Sequence, residues 1–128
     1  MILLDTHTFI WWASDRSHLS DRIASLLDRE SAGLMISVVT AWEIAILYKK
    51  GRLALPLPPN TFIEKAMVHH GIHELPLTRA IALKAVDLPD IHNDPFDRVL
   101  IAEASERQCV LATKDALIAR YPDIRVAW

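Results

Sequence analysis

Asp5, Glu43, Asp94, Asp97 and Asp115 are widely separated along the chain, yet each stands where an apolar run ends or a helix begins. Asp5 closes the run Ile2–Leu4, and Glu43 falls in the first turn of a helix that follows Leu34–Val38. Asp94 and Asp97 flank Pro95 at the opening of another helix, and Asp115 follows the apolar run Cys109–Ala112. Carboxylates at close range disfavour one another's ionisation, so a cluster of them is tolerable only around a cation. An oxygen donor set without thiolates suits a hard ion such as Mg²⁺ or Mn²⁺. One such ion, or a pair about 3.5–4 Å apart, activates water and neutralises charge on a phosphate under in-line attack. Gathered in one place, these acids could perform metal-assisted phosphodiester hydrolysis.

Taken singly, each acid also has a structural explanation. Thr40-Ala-Trp-Glu43 reads as a capping box. Asp94 before Pro95 is a natural N-cap, and Asp97 then occupies the third helical position, where acids favour the helix dipole. Asp115 suits the start of a short helix over 115–120. The functional case rests on their joint placement, which only the fold can supply.

The elements that must do the placing follow from short-range pattern. Ile2–Asp5, Leu34–Val38, Ile72–Leu75, Cys109–Ala112 and Ile124–Val126 read as strands. Helices are expected over 6–13, 20–31, 40–50, 61–70, 78–86 and 96–107. Ser20 and Asn60 are the expected caps of two of them, and Gly51 and Gly71 close two. The segment LALPLPPN is a surface crossing whose prolines forbid regular helix. Apolar strands alternating with helices define an α/β fold with a parallel sheet covered on both faces. Ligands of such sheets sit outside the carboxyl ends of the strands, the ends that carry these acids.

The composition fits one domain over residues 1–128, with 52% hydrophobic and 23% charged residues excluding a disordered chain. A single cysteine excludes an internal disulfide and a cysteine-built zinc site. The net charge of −2 advertises no nucleic-acid binder, but that test fails for a protein that concentrates acids around cations. The opening MILLDTHTFIWW lacks a basic region, and no apolar stretch approaches the ~18 residues of a membrane span, so a cytoplasmic protein is expected.

The segments LLDTHTFIWW, ISVVTAWEIAILYKKGRL, IHNDPFDRVLIAEA and LATKD together resemble the PIN-domain ribonucleases, specifically the VapC-like toxins of bacterial toxin–antitoxin pairs. The likeness covers nearly the whole chain, and HNDPFDR with WEIA upstream is its most specific part. It implies a PIN-like three-layer sandwich, with a central, mostly parallel, four- to five-stranded sheet flanked by helices. It further implies a divalent-metal-dependent endoribonuclease using Mg²⁺ or Mn²⁺, with Asp5, Glu43, Asp97 and Asp115 as the catalytic, metal-holding acids. Asp97 is matched in preference to Asp94 because Asp97-Arg-Val-Leu-Ile-Ala fits an acid followed by a packed helix face. Asp94 then caps the helix behind the site, and Thr6 and Thr113 match hydroxyls that orient carboxylates. Lys49, Lys50, Arg52, Arg98 and Lys114 are candidate contacts for RNA backbone phosphates. The expected partners are an RNA substrate, a VapB-like antitoxin and a second copy in a homodimer, with no membrane.

Other residues carry less. His69, His70 and His73 are close in sequence, but Gly71 should break the helix that would align them for zinc. His92 is expected at the pocket rim in a loop hydrogen-bonding role. Trp11, Trp12 and Trp42 read chiefly as core, and Cys109 as a buried strand residue. The competing function is a non-catalytic protein-binding module that keeps the acids as helix caps and works through apolar surface.

Overall fold

The computed structural model describes residues 1–128. Five strands, β1 (Ile2–Leu4), β2 (Leu34–Ser37), β3 (His73–Leu75), β4 (Val110–Ala112) and β5 (Arg125–Ala127), form one sheet in the order β3-β2-β1-β4-β5. Every neighbouring pair is parallel. The chain builds outward from β1 through β2 to β3, then crosses back to place β4 on the other side of β1. The strand order therefore reverses at the β1–β4 seam, where open α/β sheets leave a crevice at their carboxyl edge.

Six helices accompany the sheet: α1 (Thr6–Ser14), α2 (Asp21–Arg29), α3 (Val38–Lys49), α4 (Pro59–His70), α5 (Arg79–Asp87) and α6 (Pro95–Arg107). Strand alternation divides the core between the two sheet faces. Ile2, Leu4, Leu34 and Ile36 pack with Phe9, Trp12, Ile23, Leu27 and Phe62 from α1, α2 and α4. Leu3, Met35 and Leu111 pack with Ile81, Ala85, Leu100 and Ile101 from α5 and α6. The expected three-layer α/β architecture is present, with a fully parallel five-stranded sheet. No helix is long and apolar enough to cross a membrane.

Local signals account for most boundaries. The Ser20 hydroxyl accepts from Ile23 N–H at the start of α2, and Thr78 accepts from Ile81 N–H at the start of α5. Gly71 ends α4 at φ 64°, a left-handed conformation that a side chain would strain. Asp94 caps α6 with Pro95 as its first residue, as the sequence requires.

Four expectations are corrected. The helix after β2 begins at Val38, and its cap is Ser37, whose Oγ accepts from Val39 N–H at 3.2 Å. Thr40 is thus a buried helix residue and Glu43 lies in the second turn, so no Thr40–Glu43 capping box exists. Asn60 does not cap α4, because Pro59 already occupies the helix and needs no partner for a missing N–H. The 115–120 helix shrinks to a 3₁₀ turn at Ile118–Arg120. Trp12 is core, Trp11 is half-buried and Trp42 is 60% exposed, so the core assignment fails for Trp42. Its ring lies edge-on to Phe96 instead.

Candidate active site

Asp5 is the residue at which β1 becomes α1. Its backbone N–H donates to Ala112 O at 3.1 Å, extending the β1–β4 ladder by one bond. Its side chain caps α1, accepting Thr8 N–H at Oδ1 (2.8 Å). Oδ2 accepts the Thr113 hydroxyl at 2.6 Å. Thr113 Oγ1 in turn accepts Asp115 N–H at 3.1 Å. One hydroxyl at the end of β4 therefore fixes the Asp5 carboxylate and the backbone position of Asp115.

Glu43 projects from α3 toward the same rim. The Thr6 hydroxyl donates to its Oε1 at 2.6 Å. Thr6 and Thr113 both orient acids, and Thr6 serves Glu43 rather than its neighbour Asp5. Burial raises the Glu43 pKa above its usual value, against the Thr6 hydrogen bond, with the negative charges of Asp94 and Asp5 adding to the rise.

The start of α6 brings two more acids. Asp94 accepts Phe96 N–H at 2.9 Å as the helix cap. Asp97, one turn inward, has its pKa pushed up to about 7, first by burial and then by the charges of Asp94 and Glu43. His92 stands between Asp97 and Asp115. Its Nε2 lies 2.8 Å from Asp115 Oδ2 and 3.2 Å from Asp97 Oδ2. Its Nδ1 accepts Asp94 N–H at 3.1 Å, so the ring proton of the neutral imidazole belongs on Nε2, facing the carboxylates. Burial opposes ionisation of Asp115, but hydrogen bonds from His92 and from Leu117 N–H leave its pKa below the ordinary range.

The acids border a polar cavity of about 490 Å³, whose walls are Asp5, Thr6, His7, Trp11, Glu43, Asp94, Asp97, Lys114 and Asp115. The four acids matched by sequence are all in it. Like charges meet here in partial burial, which is why Glu43 and Asp97 resist ionisation. A divalent cation would relieve that repulsion, and the hard carboxylate oxygens fit Mg²⁺ or Mn²⁺. One ligand atom each from His92, Asp97 and Asp115 lies within 4.8 Å of the others.

Among the basic residues, Lys114 alone reaches this cavity. Lys49, Lys50 and Arg52 are exposed at the far end of α3, roughly 9 Å or more along the axis from Glu43 at 1.5 Å per residue. Arg98 corrects the sequence reading. Its guanidinium is spent on backbone carbonyls, donating to Ala85, Val86, Leu88, Pro89 and His92, and is not free for phosphate. His92 is the site residue that the sequence underrated. Its place at the head of HNDPFD, two residues before the cap, was the available signal, but its contact with Asp115 spans 23 residues.

A parallel sheet that reverses order beside a cavity lined by five acids defines an α/β fold of the PIN type. The PIN domain family model matches residues 2–124, and the chain belongs to that family. It is 28% identical to Ribonuclease VapC22 of Mycobacterium tuberculosis over 130 aligned positions, covering 99% of this chain and 98% of that one. Its fold is similar to that of VapBC2 from Rickettsia felis, solved bound to a promoter DNA fragment. That match has a TM-score of 0.73 at 12% identity and covers 99% and 98% of the two chains. DNA-bound VapBC from Salmonella typhimurium matches at TM-score 0.67 and 19% identity, over 98% and 96% of the chains.

Proposed function

We propose that the protein is a divalent-metal-dependent endoribonuclease, the toxin of a VapBC-type pair, hydrolysing RNA phosphodiester bonds with water as nucleophile. The observation that carries this reading is the convergence of Asp5, Glu43, Asp97 and Asp115 on one cavity at the β1–β4 seam. The full-length likeness to a VapC ribonuclease and to VapBC structures supports the biological setting.

In this reading Asp5, Glu43, Asp97 and Asp115 hold Mg²⁺ or Mn²⁺. The bound cation supplies Lewis acidity, which lowers the pKa of water and neutralises charge on the phosphate. Thr113 and Thr6 keep Asp5 and Glu43 aimed into the cavity. Asp94 caps the start of α6 and so fixes the first turn of backbone that carries Asp97. Lys114 at the rim attracts the RNA backbone, with Lys49, Lys50 and Arg52 available to more distant phosphates. The partners are RNA, a VapB-like antitoxin and a second copy of the chain in a homodimer. The setting is cytoplasmic.

The test is to sequence RNA ends produced on brief expression, with Asp5→Asn as control. The reading requires new ends at a defined site that vanish in the variant. A pattern identical in the two proteins would leave a non-catalytic binding module in its place. A monomer by light scattering at micromolar concentration would remove the homodimer.

A further inference from the structure

Residues 88–94 lie between α5 and α6 with almost no backbone hydrogen bonding of their own. Ile91 N–H to Pro89 O is the single internal backbone bond of this stretch. Two side chains hold it instead. Arg98 donates through Nε to Ala85 O (3.0 Å) and through Nη2 to Val86 O (3.1 Å) and Leu88 O (2.8 Å). Its Nη1 donates to Pro89 O and His92 O, each at 3.0 Å, and approaches the Tyr121 hydroxyl at 3.3 Å. That hydroxyl, on a ring only 4% exposed, donates to Pro89 O at 3.0 Å and accepts His92 N–H at 2.7 Å.

His92 is thus gripped at both backbone groups, its N–H by Tyr121 and its carbonyl by Arg98. With the backbone fixed, Nδ1 meets Asp94 N–H and Nε2–H faces Asp97 and Asp115. The planar fork of a guanidinium can satisfy carbonyls fanned around it, including those left over at the end of α5, whereas a lysine ammonium cannot span them.

We propose that Arg98 and Tyr121 are positioning residues of the acidic site, a clamp that presets His92 so that it holds Asp97 and Asp115 ready for a divalent cation. The proposal rests on the reading of these acids as a cation site. Groups that orient metal ligands typically affect metal affinity by about 10–100-fold when removed, although they never touch the ion.

Tyr121→Phe is the decisive variant, because it keeps the buried ring and deletes only the hydroxyl. Arg98→Lys is its companion, since it keeps the charge and loses the fork. Imidazole nitrogen NMR of the metal-free protein reads the His92 tautomer, and calorimetry reads Mn²⁺ affinity. The wild type should show one Nε2–H tautomer at His92. Both variants should unfold cooperatively, show mixed His92 tautomers and bind Mn²⁺ about tenfold more weakly. A Tyr121→Phe protein with an unchanged His92 tautomer and Mn²⁺ affinity within about twofold of wild type would overturn the clamp. A wild type that binds no Mn²⁺ would sink the cation-site reading instead, and the His92 spectra would then decide the clamp alone, an unchanged tautomer refuting it.

Discussion

The Thr113 hydroxyl donates to Asp5 Oδ2 at 2.6 Å, although the two residues are 108 positions apart in sequence. Parallel pairing of β1 with β4 makes this contact automatic, because Leu4 lies opposite Ala112 and the next residues of both strands meet at the rim. Thr113→Val keeps the shape and deletes this bond together with the one the hydroxyl accepts from Asp115 N–H. It should lower RNA cleavage by about 10–100-fold, while stability falls by only about 1 kcal/mol. Single-turnover cleavage and urea unfolding measured on the same preparations check both halves of the expectation.

Asp97 is costly to the fold when no cation is present. Its folded pKa of about 7 lies above the ordinary 3.8, so the folded state binds a proton more tightly than the unfolded chain does. Without a divalent ion, its contribution to stability is therefore lost as pH rises from about 4 to 7. Asp97→Asn should stabilise the metal-free protein at pH 8 by on the order of 2 kcal/mol while abolishing cleavage. Thermal unfolding in chelator at pH 5 and pH 8 measures this, and a variant less stable than wild type at pH 8 would contradict it.

Glu103 provides a second pH-dependent element away from the cavity. It is 1% exposed, its Oε1 accepts the Ser37 hydroxyl at 3.1 Å, and Oε2 has no partner. Burial raises its pKa to about 7, which the Ser37 bond and the charge of Arg107 only partly offset. Its stabilising effect is complete below about pH 4.5 and declines through pH 7, so Glu103→Gln should match wild type at pH 5 and exceed it by about 2 kcal/mol at pH 8. Because Ser37 caps α3 and Glu103 belongs to α6, this bond also ties together the helices that carry Glu43 and Asp97. Chemical denaturation at the two pH values is the check.

Lys114 is the one lysine or arginine in the wall of the acidic cavity. Lys114→Ala should raise KM with little change in kcat, and reduce the slope of log affinity against log salt by about 1. RNA binding measured over a range of salt concentrations distinguishes this from loss of a catalytic group, which would lower kcat at every salt concentration.

Much of this architecture is legible from neighbouring residues alone. The apolar runs that become β1, β2 and β4, the Asp94–Pro95 cap and the Gly71 stop depend on rules that act within one turn. The four acids could be named because the resemblance supplied what spacing could not. Contacts across the fold stayed hidden. Ser37 displaced Thr40 as a cap because the β2–α3 junction turns three residues earlier than the pattern suggests. Arg98 reads as a free cation until the carbonyls of five residues are seen around it. His92 gains its role from Asp115 and Tyr121, neither of which is near it in sequence.

The central claim is that Asp5, Glu43, Asp97 and Asp115 share a divalent cation. Calorimetric titration of Mn²⁺ into the wild type, Asp5→Asn and Asp97→Asn at pH 7.5 addresses it directly. Saturable binding by the wild type is predicted, with partial proton release from Asp97, and loss of that binding in both variants. Wild-type affinity retained in both variants would contradict it.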